Sequence, residues 1–302
     1  MKELTELTSD ASVAPWVPTQ AWADLILEAS VCYGQLSGVI TAVDYDLAAG
    51  NGNVVIVRSF PARTAQGGTG WHSGCTCLSA VSSSLATYGI TICQYGDYDK
   101  MCGWSLWKAK GPVKEGILNE MAKGLASARD LRLWTALAGA AAQHNHTAVT
   151  CVSRATNSCC DYRYNLFNSI VSMKAIMQDA CYNPDTVILN PTVAAWFYTG
   201  DDGGEMRNLI GGHLKFDSND NLISIAGLKV IETGLAATCA STASAVMAIV
   251  IDSSRAVGEA WGKRPTFSET YVPECDYYKE VVWMWWGANT LDVAAIGHIR
   301  NP

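Results

Sequence analysis

The longest periodic pattern in the chain predicts one long helix over residues 111–143, GPVKEGILNEMAKGLASARDLRLWTALAGAAAQ. Apolar positions recur there at steps of three and four, the spacing that places side chains on one helix face. Pro112 stands near the start, where proline is favoured in the first helical turn. About thirty helical residues span roughly 45 Å, which is long for a globular protein. The positions expected to form its buried face are Ile117, Met121, Leu125 and Leu131.

A second helix is predicted over residues 164–180, with an apolar stripe formed by Leu166, Ile170, Met173 and Met177. A short apolar strand that begins at Thr186 then leads into Asn190 and Pro191. Asparagine is a preferred N-cap, proline is a preferred first helical residue, and Gly200 can end the short helix that follows. Because no nucleophile and no glycine-rich anion cradle stands at this joint, we interpret it as a structural corner and not as a catalytic elbow.

Alternating or continuous apolar runs predict strands in the last third of the chain. Residues 222–234 indicate strand, turn and strand, and residues 244–252 indicate one buried strand. The C-terminal run YYKEVVWMWWGANTLDVAAIGHIR predicts one or two strands with a turn at Gly287-Ala288-Asn289. Helices in the middle and strands that cluster late predict an α+β fold.

The N-terminal third contains an unusual hairpin pattern. Two β-rich runs, 53–61 and 88–95, enclose a long excursion, 62–87, that is rich in Gly, Ser and Thr. A polar loop of this length is uncommon inside a compact domain. The pattern therefore favours an extended flap that contacts another molecule, preceded by residues 1–49 as an arm with one short amphipathic helix.

Composition narrows the possible functions. Apolar residues make up 49% of the 302 residues and charged residues only 16%, so a large apolar area is buried in the core or against other copies. The net charge is −7, with no basic tail, which argues against tight nucleic-acid binding. The polar first twelve residues do not indicate an export signal, and no apolar run is long enough for a membrane span.

Cysteine and histidine clusters are the candidate sites for metal or nucleophilic chemistry. The clusters are His72 with Cys75 and Cys77, and His144 and His146 with Cys151, Cys159 and Cys160. Neither has the paired CxxC spacing typical of zinc, and no sequence context marks an activated thiol. We therefore predict no catalytic, metal or cofactor site. The count of eleven cysteines is odd, so at least one is unpaired or pairs between chains.

The order of these parts, with three local motifs, identifies a family resemblance. The motifs are VILNP before a short helix, IAGLKVIETG, and the run VIDSSRAVGEAWGKRPTFSETY over residues 250–271. Arm, flap, long helix, α/β half and late strands together resemble the major capsid protein of tailed double-stranded DNA viruses, the Hong Kong 97-type fold. The resemblance covers most of residues 20–300.

This resemblance implies a domain plan and a function. The plan is an N-terminal arm (1–49), an extended β-hairpin loop (50–98), a peripheral domain (99–163 and 244–302) with a spine helix (112–142), and an axial domain (164–243). The implied protein is structural and not an enzyme. It forms pentamers and hexamers that assemble into an icosahedral shell around double-stranded DNA, in a bacteriophage or archaeal virus. It belongs in the virion, and in the host cytoplasm during assembly.

Departures from the family pattern concern partners and cross-links. Since the arm begins almost at Met1, we expect scaffold, portal or cement proteins to be separate chains, with only weak non-specific contact to the packaged DNA and none to a membrane. No lysine lies between Lys2 and Lys100, so a lysine weld from the extended loop is not expected. The loop instead carries Cys75 and Cys77, which could form an inter-subunit disulfide with Cys159 or Cys160 of a neighbour. Reduced thiols are the alternative.

Two other functions stay open at the level of sequence. An encapsulin-type nanocompartment shell resembles the same fold and encloses enzymes, and genomic neighbours would separate it from a virus. A cysteine- or zinc-dependent enzyme would use His72, Cys75 and Cys77. Size-exclusion chromatography separates these classes, since an enzyme elutes as a small oligomer and a shell protein as capsomers or very large particles.

Overall fold

A computed structural model of the chain describes residues 34–36, 54–59, 86–103, 113–140, 144–147, 162–197, 211–218, 222–238 and 245–300. Within these ranges the fold is α+β, as predicted. The helices are α1 (Val113–Ala138), α2 (Tyr162–Asp179) and α3 (Pro191–Ala194). The strands are β1 (Val54–Ser59), β2 (Ala86–Thr91), β3 (Cys93–Cys102), β4 (His144–Thr147), β5 (Thr186–Leu189), β6 (Leu214–Phe216), β7 (Leu222–Ile225), β8 (Leu228–Glu232), β9 (Val246–Ile251), β10 (Val257–Val272), β11 (Tyr277–Thr290) and β12 (Ile296–Arg300).

A seven-stranded mixed sheet forms the larger half of the described structure. Its order is β4-β12-β9-β5-β8-β7-β6, with β5 parallel to β8, β12 parallel to β4, and the other pairs antiparallel. Every residue of β5 and β9 is buried, which explains why both read as continuous apolar runs. In this sheet β9 lies beside β5, and β12 lies between β9 and β4. The domain plan, which placed residues 244–302 in the peripheral domain, stays a prediction.

Helices cover both faces of this sheet. Side chains alternate along a strand, so Val187 and Leu189 of β5 pack toward α2 while Ile188 packs on the opposite side. The four apolar positions predicted for the second helix are all buried against the first face: Leu166, Ile170, Met173 and Met177. The opposite face packs against Leu133 and Leu137, in the C-terminal half of α1.

A three-stranded antiparallel sheet, β10-β11-β3, forms the smaller half, and α1 joins it to the larger one. The N-terminal half of α1 packs on this sheet through Leu118, Met121 and Leu125, which contact a cluster that includes Phe267 and Val282. With 26 residues, α1 is about 39 Å long, enough to reach from one core to the other. α1 therefore connects the two halves of the described structure.

The predicted hairpin is present in its described strands. β1 and β2 pair antiparallel from Val54 opposite Thr91 to Ser59 opposite Ala86. The excursion at 62–85 lies outside the described residues. The second β-rich run divides at Ile92, because β2 ends at Thr91 and β3 leaves to pair with β11. Residues 93–98 of the predicted extended loop thus belong to the three-stranded sheet.

Two expectations for α1 need correction. The helix ends at Ala138 and not near residue 142, with the Gly139 amide donating to the Thr135 carbonyl at 2.9 Å. Met121 and Leu125 are each 3% exposed and Ile117 is half-buried, but Leu131 is 54% exposed. Six residues beyond Leu125, a side chain has turned about 240° around the helix, which takes Leu131 off the buried stripe.

The turn predicted at Gly287-Ala288-Asn289 does not exist. β11 runs without interruption from Tyr277 to Thr290, and these three residues pair with β10 inside the strand. A true turn of the predicted strand-turn-strand type does occur at Ala226-Gly227, where both residues have positive φ angles between β7 and β8. Among the described residues, no helix is long and apolar enough to cross a membrane.

Candidate assembly surfaces

The Asn190-Pro191 joint is a capped helix start, as the sequence predicts. The Asn190 side-chain oxygen accepts from the Thr192 amide at 2.9 Å, and its side-chain nitrogen donates to the Ala236 carbonyl at 2.7 Å. Both ends of the amide therefore hold structure together. The helix continues as one 3-10 turn to Phe197, and Gly200, its predicted end, lies outside the described residues.

The cysteine clusters are only partly within the described chain. His144 and His146 lie on β4. Among the described residues, no group of three or more His, Cys, Asp or Glu side chains is placed to hold a metal ion, and the cysteines there are exposed free thiols at positions 93, 102, 181 and 275. The remaining cluster members lie outside the described residues: His72, Cys75, Cys77, Cys151, Cys159 and Cys160. The proposed disulfide stays a prediction.

A buried ion pair fixes α1 to the three-stranded sheet. The Arg129 guanidinium donates through one nitrogen to both carboxylate oxygens of Glu259 on β10, at 2.9 and 2.7 Å, and these side chains are only 8% and 4% exposed. The indole of Trp286 donates to the same carboxylate at 3.0 Å. The guanidinium also lies over the rings of Trp261 and Trp286, at 5.2 and 5.6 Å. Charge, hydrogen bonds and aromatic faces therefore set the register of the helix on the sheet.

Asp130, the next residue on α1, binds the backbone of Gln35 and Leu36. Both oxygens of Asp130 accept backbone amides, from Gln35 at 2.8 Å and from Leu36 at 3.2 Å. Leu36 is fully buried beside Leu133 and Leu137. Burial raises the pKa of the Asp130 carboxyl, while the two amide hydrogen bonds act in the opposite sense. The sequence signal for both anchors is a pair of adjacent charges, Arg129-Asp130, inside a helix with apolar residues on either side, and sequence reasoning did not single it out.

The base of the β1–β2 hairpin rests on β11 through close backbone contact. The Asn289 side chain donates to the Gly89 carbonyl at 2.8 Å. Gly287 lies directly under the Thr91 carbonyl, so that a Cβ atom at this position would overlap the carbonyl oxygen. Glycine in a strand interior commonly marks such an approach. Gly287 and Asn289, which the sequence predicted to form a turn, instead contact the base of the hairpin.

Two aspartates, Asp252 and Asp185, accept hydrogen bonds at the connection between β9 and β10. Asp252 is buried directly after β9 and accepts from the amides of Asn183 and Ser254. Neighbouring Asp185 accepts from the amide and hydroxyl of Ser253. These bonds satisfy the carboxylates locally, so the site is a structural connection between the two sheets.

Comparison with solved structures identifies the fold. No protein-family model and no curated protein matches the chain, but 197 chains of solved structures do. The capsid structure of the cyanophage P-SCSP1u is 14% identical, with a TM-score of 0.60 over 87% of this chain and 86% of that one. The mature capsid of bacteriophage PhiM1 is 11% identical, with a TM-score of 0.60 over 88% and 86%. The capsid of a native GTA particle is 12% identical, with a TM-score of 0.61 over 89% and 90%.

These matches define the class of fold to which the chain belongs. They extend over nearly the whole length of both partners, while sequence identity stays at 11–14%. The chain has the α+β fold of Hong Kong 97-type capsid proteins, as the sequence resemblance predicts. At such low identity the shared property is the fold, and function follows by argument from it.

Proposed function

We propose that this protein is a major capsid protein, a structural subunit that assembles with copies of itself into an icosahedral shell enclosing double-stranded DNA. The single observation that carries the proposal is the correspondence of almost the whole chain with subunits of solved phage capsids. The same fold serves the GTA particle capsid. The shell function needs no catalytic centre, which agrees with the structural use of Asn190, Asp252 and Glu259 described above.

We assign the parts of the chain accordingly. α1 is the spine helix, the β1–β2 stem begins the extended loop, and the three-stranded sheet with α1 forms the peripheral domain. The seven-stranded sheet with α2 forms most of the axial domain, which would pack around fivefold and sixfold centres. Support comes from α1, which packs against both cores, and from the β1–β2 stem, whose base contacts β11.

Deletion of the loop tests the proposal. Removing residues 67–84 should leave a soluble subunit that forms no closed shells, because the loop would contact a neighbouring subunit and not its own core. A variant with the same residues in shuffled order keeps length and composition and isolates the loss of specific contacts. Electron microscopy and size-exclusion chromatography of each variant provide the measurement. Normal particles from the deletion would contradict the assignment of the loop.

The content of purified particles separates the virus from the nanocompartment. Particles from the native source should contain nuclease-protected double-stranded DNA if the subunit encloses a genome. Protected cargo protein without DNA would favour an encapsulin-type shell. A small oligomer that forms no particles under any condition would overturn both shell functions.

We further propose a covalent tie between subunits through the loop cysteines. Cys75 and Cys77 would meet Cys159 or Cys160 of a neighbour, with dioxygen accepting the two electrons and two protons of the thiols. Such a disulfide links chains and so stabilises the particle more than the subunit. Thiol-blocked particles should give ladders on non-reducing gels that vanish on reduction and in a Cys75→Ser/Cys77→Ser variant. A single monomer band would contradict the tie.

A further inference from the structure

The three-stranded sheet segregates its charges between its two faces. Side chains alternate along each strand, and one face packs on α1 through Phe267, Val282 and Met284. The opposite face, here called the lysine–aromatic face, is formed by Tyr98 and Lys100 of β3, Lys263 of β10, and Tyr277, Lys279, Trp283 and Trp285 of β11. Tyr98 is 45% and Trp285 is 46% exposed, so large aromatic surfaces lie open here.

Each lysine of this face lies over an aromatic ring. The Lys100 ammonium is 5.7 Å from the centre of the Tyr98 ring and 5.3 Å from that of Tyr277. The Lys279 ammonium lies 5.2 Å from the same Tyr98 ring, and the Lys263 ammonium 5.5 Å from the ring of Trp283. Such contacts hold the ammonium groups down on the sheet as an ordered array.

Two of these lysines oppose each other directly. Lys100 and Lys279 are cross-strand partners in the register of β3 and β11. Like charges in this arrangement destabilise a sheet pair. Within the described part of the chain, none of the three lysines forms an ion pair. An anion from outside this face would relieve the repulsion.

The carboxylates of the same strands point to the other side of the sheet. By register, the acids on the α1 side are Asp97, Asp99, Glu259, Glu269 and Glu280. Asp97 and Asp99 line a groove against α1 together with Glu120. The lysine–aromatic face therefore receives no neutralising carboxylate from its own strands, and a partner that fits it carries negative charge together with apolar or aromatic groups.

The chain itself contains a segment with that chemistry. Residues 1–33 hold five carboxylates and one lysine, a net charge of −4, which is more than half of the chain's total of −7. Residues 1–33 also include Trp16 and Trp22 among several aliphatic side chains. The loop excursion at 62–87 is a poorer match, because it has one arginine and no acid.

The anchoring of this segment leaves it long enough to reach the face. Gln35 and Leu36 are held by Asp130 on α1, on the side of the sheet opposite the lysines. A fully extended chain of 33 residues, the number before Gly34, would span at most roughly 110 Å, well beyond the roughly 39 Å length of α1. Attachment to the same particle gives the segment a high effective concentration at such faces.

We propose that the acidic N-terminal segment, residues 1–33, docks on the lysine–aromatic face of a neighbouring copy. The inference rests on the proposed shell function for the presence of that neighbour. Its carboxylates neutralise the facing pair Lys100 and Lys279, and its apolar side chains cover Tyr98 and Trp285. The contact is an electrostatic tie between subunits that involves neither the loop excursion nor a covalent bond.

Zero-length carboxyl-to-amine cross-linking of the full-length assembled protein tests the contact. Mass spectrometry should find Lys100, Lys263 or Lys279 joined to Glu3, Glu6, Asp10, Asp24 or Glu28. Lys123, which is exposed and paired with Glu120 at 2.6 Å, is the internal control and should link locally. Cross-links of the three lysines only to other carboxylates, or none at all, would overturn the proposal.

Lysine acetylation gives an independent readout. A Glu3→Gln/Glu6→Gln/Asp10→Asn variant should acetylate several-fold faster at Lys100 and Lys279, with Lys123 unchanged. Nucleic acid is the other class of molecule that binds a basic face, and comparison of DNA-filled with empty particles tests for it. Protection that requires DNA and ignores the substitutions would assign the face to nucleic acid and overturn the segment. Particle formation is measured separately, so failure of the shell function is recognised by absent particles and not by absent cross-links.

Discussion

The two sheets of this protein solve the problem of burial in different ways. The seven-stranded sheet is covered on both faces, by α2 on one side and by the C-terminal half of α1 on the other. Among the described residues, the three-stranded sheet packs against a helix on one face only, and its strands are the longest described, at 16 and 14 residues for β10 and β11. Among the described residues, the larger sheet is buried on both faces, while the smaller one exposes aromatic and charged side chains on the face opposite α1.

Under the proposed shell function, this difference would separate the stability of the subunit from its assembly. Apolar burial in the larger half is non-directional and does not depend on neighbours. The smaller half relies on directional devices, namely the Arg129–Glu259 pair and the close seat at Gly287. We therefore expect substitutions in the smaller half to affect both subunit stability and the geometry of assembly.

The largest effect is expected from breaking the buried ion pair. Glu259→Ala leaves the Arg129 guanidinium buried without its carboxylate, which should cost about 3–5 kcal/mol of unfolding free energy. Urea unfolding of the unassembled subunit measures the loss. The matched control is Arg129→Met/Glu259→Leu, which removes both charges and should cost much less. Equal losses in the single and double variants would show that packing, and not the uncompensated charge, is what the pair supplies.

The second-largest effect is expected on the face of α1 that packs against the three-stranded sheet. Leu125→Ala should destabilise the subunit by about 2–5 kcal/mol, because a buried leucine leaves a cavity. Leu131→Ala, on the same helix, should change stability by less than about 0.5 kcal/mol. A loss at Leu131 that appears only in assembled particles would place it in an interface. Equal losses at both sites in the free subunit would contradict the observed face of the helix.

The larger half was more predictable from sequence than the smaller half. The strands at Thr186–Leu189 and Val246–Ile251 are continuous apolar runs, and the stripe of α2 has ideal spacing. The α1 stripe was misplaced at Leu131 because apolar residues occur on more than one side of that helix. Sequence periodicity cannot distinguish an apolar residue that faces the core from one that faces a partner.

The sites of the smaller half depend on contacts between distant residues. Glu259 and Arg129 are 130 positions apart, and nothing in either local sequence announces the pair. Gly287 resembles a turn residue because glycine punctuates many turns, while its actual role is to admit the Thr91 carbonyl. Charge segregation on β3, β10 and β11 becomes visible only once the strand register is known. The order of the predicted elements, by contrast, could be inferred from the sequence, and that order identified the fold.

A smaller effect is expected at the seat of the hairpin. Gly287→Ala places a methyl group against the Thr91 carbonyl and should cost about 1–3 kcal/mol, as overpacking does. Gly116→Ala is the control, since its added Cβ meets open space on α1 and should stabilise the helix by up to about 1 kcal/mol. Urea unfolding and particle yield are measured together. An unchanged Gly287→Ala variant would show that the hairpin base shifts freely on β11.

The smallest effect concerns pH and one buried histidine that joins the seven-stranded sheet to α1. His298 on β12 lies with one ring nitrogen 2.8 Å from the Leu137 carbonyl of α1, and Arg300 donates to the other at 3.0 Å. An arginine only donates, so the ring is neutral and its other N–H donates to the carbonyl. Burial lowers the pKa of this imidazole below its ordinary value, although the carbonyl acts in the opposite sense.

The sign of the pH dependence follows from this lowered pKa. As the pH falls through about 6.5, an unfolded histidine takes up a proton while folded His298 resists it, so the unfolded state gains protons and stability declines. The raised pKa of Asp130 acts oppositely, but only nearer the carboxyl range. The urea concentration at the midpoint of unfolding should therefore decrease as the pH is lowered from about 7 to about 5. His298→Gln should flatten this decline, whereas substitution of the exposed His213 by glutamine should preserve it. A decline of equal slope in both variants would remove His298 as its cause.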